Sequence, residues 1–184
     1  MASSVLARNE RELKILTIQQ YSNATISMKK MVVLDEAINI SKRLKSQGKT
    51  IVLAGGCFDV LHKGHYTFLT KAKMQGDILI IALESDENVK KLKGEERPIN
   101  TQLHRAGTLA ALAIVDYVLL LPQFTYNREY FNMTNAILPH TIAITEGDPK
   151  KNEKQKQATA VGAKLISVTK RLEEFSTTQM LSHQ

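Results

Sequence analysis

Cys57 is the only cysteine in 184 residues, so no disulfide can form within the chain and nothing in the sequence calls for an oxidising compartment. Long apolar runs are also missing. None approaches the roughly 20 residues that a helix needs to span a bilayer. Residues 1–30 are mixed and polar, without the apolar core of a signal segment. A cytoplasmic protein with no membrane partner is expected. Aromatic residues are few: five Phe, five Tyr and no Trp. They do not interleave with the lysines, so the formal net charge of +7 does not read as a nucleic-acid surface, which needs platforms for base stacking. Much of the excess charge sits in Lys90-Lys91-Leu92-Lys93 and within residues 150–156. A small polyphosphate ligand accounts for such local clusters equally well. No internal repeat and no low-complexity tract is present.

What is present is an alternation. Residues 34–47 have apolar positions at helical spacing, closed by Gly48. Ile51 to Ala54 reads as a strand and Gly64 to Gln75 as a helix. Asp77 to Leu83 is a strand whose continuous apolar run suits burial on both faces. Residues 85–100 read as a polar, lysine-rich loop. Helices are expected over 102–114, 126–136 and 150–161, with Thr101 as the N-cap of the first. Strands are expected over 117–121, 141–145 and 164–168, and a short last helix over 176–182. The pattern predicts an α/β fold, a Rossmann-like doubly wound five-stranded parallel sheet with helices on both faces. Residues 1–30 read as an extension, with a helix over 8–20, and residues 31–184 as the working domain. Ligands of such sheets bind beyond the carboxyl ends of the strands, where strand order reverses. The loops at that edge carry His62 and His65, the stretch from Lys90 to Arg97, Glu146-Gly147-Asp148, and Arg171 with Ser176-Thr177-Thr178.

Gly55-Gly56-Cys57-Phe58-Asp59-Val60-Leu61-His62-Lys63-Gly64-His65 joins the first strand to the helix after it. A glycine-rich turn at a helix N-terminus presents backbone N–H groups and the positive end of the helix dipole, which together favour phosphate. His62 and His65 are three residues apart and share a helix face. Taken alone, the pair would suit a metal as well as a phosphate.

The stretch Gly56-Cys57-Phe58-Asp59-x-x-His62-x-Gly64-His65 resembles the G-x-F-D-x-x-H-x-G-H motif of the cytidylyltransferase-like nucleotidyltransferases, which share a fold with the catalytic core of class I aminoacyl-tRNA synthetases. Lys91-Leu92-Lys93-Gly94-Glu95-Glu96-Arg97-Pro98-Ile99-Asn100 is similar to the K-G-x-x-R-P-[VI]-N loop of the heptose-1-phosphate adenylyltransferases. Arg105, Val115-Asp116-Tyr117-Val118 and Phe175-Ser176-Thr177-Thr178 fit further stretches of that branch. The likeness covers about residues 32–181. It departs at Glu146-Gly147-Asp148-Pro149 and at Glu174, near where the acceptor should sit.

The resemblance implies transfer of a nucleoside monophosphate from ATP, or from CTP, to a phosphorylated small-molecule acceptor such as heptose 1-phosphate, with release of pyrophosphate. A CTP-dependent enzyme acting on glycerol 3-phosphate is the alternative, and a nucleotide-binding regulator without catalysis is a third reading. The implied catalytic residues are His62, His65, Lys93 and Arg171. The nucleotide would also lie against Gly55, Gly56, Cys57, Phe58, Gly64 and Lys91, against Glu146, Gly147 and Asp148, and against Ser176 and Thr177. Asp59, Asp86 and Arg97 are candidates for the acceptor, although Asp59 also suits a role in fixing its loop. Arg105 is read as a support for the loop and Asp116 as an organiser of loops. Magnesium is expected on the nucleotide phosphates, with no metal-ligating residue named. A homodimer is a possible assembly.

Overall fold

The computed structural model describes residue 25 and residues 27–170. Its centre is a parallel sheet of six strands: β1 (Met31–Val32), β2 (Ile51–Gly56), β3 (Ile78–Leu83), β4 (Tyr117–Leu120), β5 (Thr141–Thr145) and β6 (Lys164–Thr169). They lie in the order β1-β4-β3-β2-β5-β6. From β2 the chain winds outward to β3 and β4, then crosses back to lay β5 and β6 on the other side. The reversal lies between β2 and β5.

The two central strands, β2 and β3, carry no polar side chain because both faces are covered. Along β2, Val52 and Ala54 point to one face and Ile51 and Leu53 to the other, as the two-residue period of a strand requires. The first face is covered by α2 (Lys63–Lys73) and α4 (Gln102–Ala110). Their Phe68, Leu69, Ala106 and Leu109 pack with Leu79, Ile81, Leu83 and Val118. The second face is covered by α1 (Leu34–Ser46) and α5 (Asn127–Ile137), which bring Ala37, Leu44, Met133 and Ile137 onto Ile80, Ala82 and Leu119. Beside them, Ala158 of α6 (Lys151–Val161) rests on Ile142 and Ile144.

The strand register opens the site. β2 pairs with β3 through to Gly56↔Leu83, but its pairing with β5 runs only from Val52↔Thr141 to Ala54↔Ala143. Beyond Ala54, β2 is bonded on the β3 side alone. The two strands part at the switch point, which is where such sheets take their ligands.

Three expectations need correction. The sheet has six strands rather than five, because a two-residue strand at Met31–Val32 is too short to leave a pattern in the sequence. Gly55 and Gly56 are the end of β2 rather than part of the turn. The polar loop after β3 contains a helix, α3 (Asp86–Lys93). That helix buries only Asn88 and Val89, so it shows no apolar stripe. It is made instead by its ends. Ser85 accepts from the Asn88 amide at 3.2 Å, Asp86 and Glu87 occupy the first turn, and Lys90, Lys91 and Lys93 occupy the last, all in accord with the helix dipole. The expected helices over 8–20 and 176–182 lie outside the described residues. No helix among the described residues is long and apolar enough to cross a membrane.

Candidate active site

The turn after β2 is built around a buried ring. Phe58 is 5% exposed and holds φ at 45°, a left-handed conformation that an aromatic residue adopts only when its surroundings impose it. Its ring lies so close to Gly56 that a Cβ there would fall 2.8 Å from a ring carbon. Glycine is thus required at position 56 by the protein itself. A Cβ on Gly55 would meet only the Ala82 carbonyl, at an ordinary 3.7 Å. No packing contact demands glycine at position 55, which leaves bare main chain facing the crevice.

His62 caps α2, its Nδ1 accepting from the Gly64 amide at 3.1 Å. The His62 and His65 rings stack, with centroids 3.8 Å apart and planes at 25°, and Phe58 closes on His65 from 5.2 Å. Burial and then the neighbouring His62 push His65 down to about 4; a backbone group of Val60 opposes them, and the charge of Lys93 adds a smaller push downward. His65 Nδ1 is buried without a hydrogen bond of normal geometry among the described residues. Burial lowers His62 as well. Near neutral pH the site therefore holds His65 uncharged beside a second imidazole that burial disfavours from charging, at the positive end of a helix.

Lys93 ends α3, and its charge is felt at both His65 and Cys57. Burial, then the Glu84 carboxylate, pushes the Cys57 thiol up despite that lysine. Lys91 is exposed on the same helix, and Lys90 pairs with the exposed Glu95.

Two charged clusters fasten the loops. The Asp59 carboxylate is 5% exposed and accepts from the Arg97 guanidinium, from the Ile99 amide at 2.9 Å and from the Asn100 amide at 3.0 Å. The Asn100 side chain returns a bond to the Asp59 carbonyl at 2.9 Å. Burial alone would raise the Asp59 carboxyl, but these donors outweigh it and hold it below the usual carboxylate range. Arg105, 2% exposed, is the second fastener. Its guanidinium donates to the carbonyls of Asn100 at 3.0 Å, Glu84 at 2.8 Å and Cys57, and to Asp86 Oδ1 at 2.8 Å. The ends of β2 and β3, the start of α3 and the loop before α4 all converge on this one side chain.

The sequence-predicted residues therefore divide. His62, His65, Lys93, Cys57, Phe58, Gly55, Gly56 and Gly64 gather at the end of β2. Glu146 and Gly147 are exposed in the turn after β5, the strand across the crevice. Asp148 holds that turn, accepting from the Lys150 amide at 2.7 Å and pairing with Lys154 at 2.8 Å. Of the candidate acceptor residues, Asp59 and Arg97 pair with each other and fasten their loops, and Asp86 accepts from Arg105 through Oδ1 while its side chain stays 39% exposed. Arg171, Ser176 and Thr177 lie outside the described residues. A group that sequence reasoning missed is Glu84, directly after β3, bonded to Tyr130 Oη at 2.9 Å and Asn88 Nδ2 at 3.2 Å. The one sequence signal for it is a carboxylate closing an apolar strand. Its partnership with Tyr130, 46 residues away, leaves no such trace.

Residues 53–181 match the model of the cytidylyltransferase-like family. Among curated proteins, the chain is 46% identical over 114 residues to the bifunctional protein HldE of Nitratiruptor sp. and 39% identical over 147 residues to that of Wolinella succinogenes. These matches take in 62% and 80% of this chain but only 24% and 29% of the relatives, so the chain spans about a quarter of their length. Among solved structures, the lipopolysaccharide core biosynthesis protein from Thermoplasma volcanium shares the fold with a TM-score of 0.56 at 24% identity, over 67% of this chain and 99% of that one.

Proposed function

The chain belongs to the cytidylyltransferase-like family, and from that premise we propose that it is a nucleotidyltransferase that transfers the adenylyl group of ATP to a sugar 1-phosphate of the heptose type. The observation that carries this reading is the stacked His62/His65 pair at the N-terminus of α2, set beside the parting of β2 from β5. An oxygen of the acceptor phosphate attacks the α-phosphorus of ATP. A new P–O bond forms there, the α–β bridging P–O bond breaks opposite it, and the electron pair leaves with pyrophosphate. The attacking phosphate is already a competent nucleophile, so the protein positions the two partners and stabilises developing charge.

His62 and His65 offer ring N–H groups to the phosphate oxygens, reinforced by the amides at the start of α2. Lys93 adds a positive charge from the α3 side. Uncharged imidazoles are free to take up protons as the polyanion arrives. The Asp59 and Asp86 carboxylates are committed to Arg97 and Arg105, and among the described residues no three His, Cys, Asp or Glu side chains are arranged to hold a metal. The chain's own groups do not fit a protein cage for magnesium, whose place is on the nucleotide phosphates with water, and no step here is routed through it.

ATP and a heptose-type acceptor are favoured by the Lys91–Asn100 stretch and by the HldE relatives. Transfer of a cytidylyl group to an alcohol phosphate such as glycerol 3-phosphate is the second reading, favoured by the family match alone. A pyrophosphate-release screen separates them, pairing ATP and CTP with heptose 1-phosphate, other sugar 1-phosphates and glycerol 3-phosphate. Release with ATP and heptose 1-phosphate is expected. Turnover with CTP alone overturns the adenylyl reading.

A further inference from the structure

Asp59 and Arg97 are paired with each other and Asp86 Oδ1 with Arg105, and the carboxyl edge of the sheet carries a further carboxylate, Glu84, with one oxygen open. The Glu84 amide donates to the Gly56 carbonyl at 3.1 Å and its own carbonyl accepts from Arg105, so its backbone is fixed beside the end of β2. Its Oε2 accepts from Tyr130 Oη at 2.9 Å and from Asn88 Nδ2 at 3.2 Å, and Asn88 Nδ2 also reaches Tyr130 Oη at 3.0 Å. Its Oε1 has no partner among the described residues. Both residues that aim the carboxylate leave that one oxygen unused.

The surroundings point to a ligand rather than to bulk solvent alone. Glu84 continues the side of β3 on which Ile80 and Ala82 face α1 and α5, and Gly55 lies on the same side, in register with Ala82. The glycine without packing demand is thus the floor next to the half-bonded carboxylate, and Cys57, whose thiol responds to Glu84, lies beyond it. His62 and His65 belong to α2, which covers the opposite face. An in-line displacement needs its incoming and outgoing groups on opposite sides of the reacting phosphorus. Phosphate held at α2 on one side and an acceptor body lodged toward α5 on the other meet that need across the end of β2.

A carboxylate can only accept hydrogen bonds, so what docks on Oε1 must be a donor, and a second phosphate there would meet like charge. We propose that Glu84 Oε1, aimed by Tyr130 and Asn88 at the carboxyl end of β3, accepts a hydrogen bond from a hydroxyl of the acceptor and so selects a polyhydroxylated phosphate. The inference rests on the sugar-phosphate reading above and deepens it.

The test is steady-state pyrophosphate release by the full chain with ATP and heptose 1-phosphate, for wild type, Glu84→Gln and Tyr130→Phe. Replacing the charged acceptor by a neutral amide weakens this bond and raises the acceptor KM of Glu84→Gln by about tenfold, while the KM for ATP stays within about twofold. Tyr130→Phe moves the acceptor KM the same way by a smaller factor, because Oε2 loses one of its two anchors, and it serves should Glu84→Gln fail to fold. In a series of deoxy-sugar 1-phosphates, one deoxy position costs the wild type about tenfold more than it costs Glu84→Gln. A purely structural role would not produce that substrate-by-residue coupling. Unchanged acceptor KM in both variants, equal shifts in both KM values, or no coupled deoxy position overturns the inference and leaves adenylyl transfer standing. No release by the wild type with any sugar 1-phosphate overturns both.

Discussion

Replacing Arg105 tests how the site is held. Its side chain is fully buried, and four acceptors depend on it: the carbonyls of Cys57, Glu84 and Asn100, and the Asp86 carboxylate. In Arg105→Met the stem is kept and every donor is lost. Asp86 is 39% exposed in its side chain and regains water, so its share of the loss is small. The carbonyls are left without their donor, at about 1–3 kcal/mol for each one that water fails to reach. Counting two to three such groups with partial hydration gives a loss of about 3–5 kcal/mol, the range seen when one partner of a buried charged pair is removed. In a chain of this size each kcal/mol moves the melting temperature by about 2–4 °C, so a fall of roughly 6–20 °C is expected. Equilibrium urea unfolding should show a lower midpoint with an unchanged slope, because the folded surface stays the same. Arg105→Lys should recover only part of the loss, since one ammonium replaces a fork of three nitrogens. Freeing the Cys57 carbonyl also loosens the turn that carries His62 and His65, so turnover should fall in the folded fraction. A drop of under about 3 °C in Arg105→Met would refute the reasoning, because no buried group could then have depended on the guanidinium.

Asp59→Asn should flatten the acid limb of stability. The depressed Asp59 carboxyl contributes stability that is complete above its unfolded value near 4 and is lost as pH falls through the lower folded value, so urea midpoints of wild type and variant should converge at the acid end. Midpoints that stay parallel down to pH 3 would count against the clamp. Gly55→Ala should melt within about 2 °C of wild type yet raise the acceptor KM about tenfold or more, whereas Gly56→Ala should lose stability because its new Cβ meets the Phe58 ring; the two are read by melting curves and steady-state pyrophosphate release. Equal effects of the two on stability would contradict the assignment of Gly55 to the ligand. ATP binding near pH 6 should take up protons, since polyphosphate raises imidazoles that the free protein holds low, and calorimetry in two buffers of different ionisation enthalpy measures this directly. Proton release would be inconsistent with two uncharged histidines facing phosphate.

The parts of the molecule that could be read from sequence are those whose signal is local. Ile78–Leu83 announces a doubly buried strand because both faces must be apolar, and the H-x-G-H turn announces itself because its chemistry lies within a few residues. The helix at Asp86–Lys93 was hidden because it is stabilised by its cap and end charges, with almost no buried face to create a period. β1 was hidden by its length of two residues. The pairings of Asp59 with Arg97 and Asn100 and of Asp86 with Arg105 join residues 19 to 41 positions apart, so residue type alone did not show which loops these charges fasten. Glu84 is the converse case. Its neighbours in sequence mark only the end of a strand, and its open oxygen follows from where α5 places Tyr130.

The stacked histidines carry the functional reading, and single-turnover pyrophosphate release by His65→Ala at saturating ATP and heptose 1-phosphate tests them most directly. A loss of about a hundred- to a thousandfold in rate is predicted, the usual cost of one preorganised donor at a developing charge, with the far-UV spectrum unchanged. A rate within tenfold of wild type would mean that the chemistry is done elsewhere.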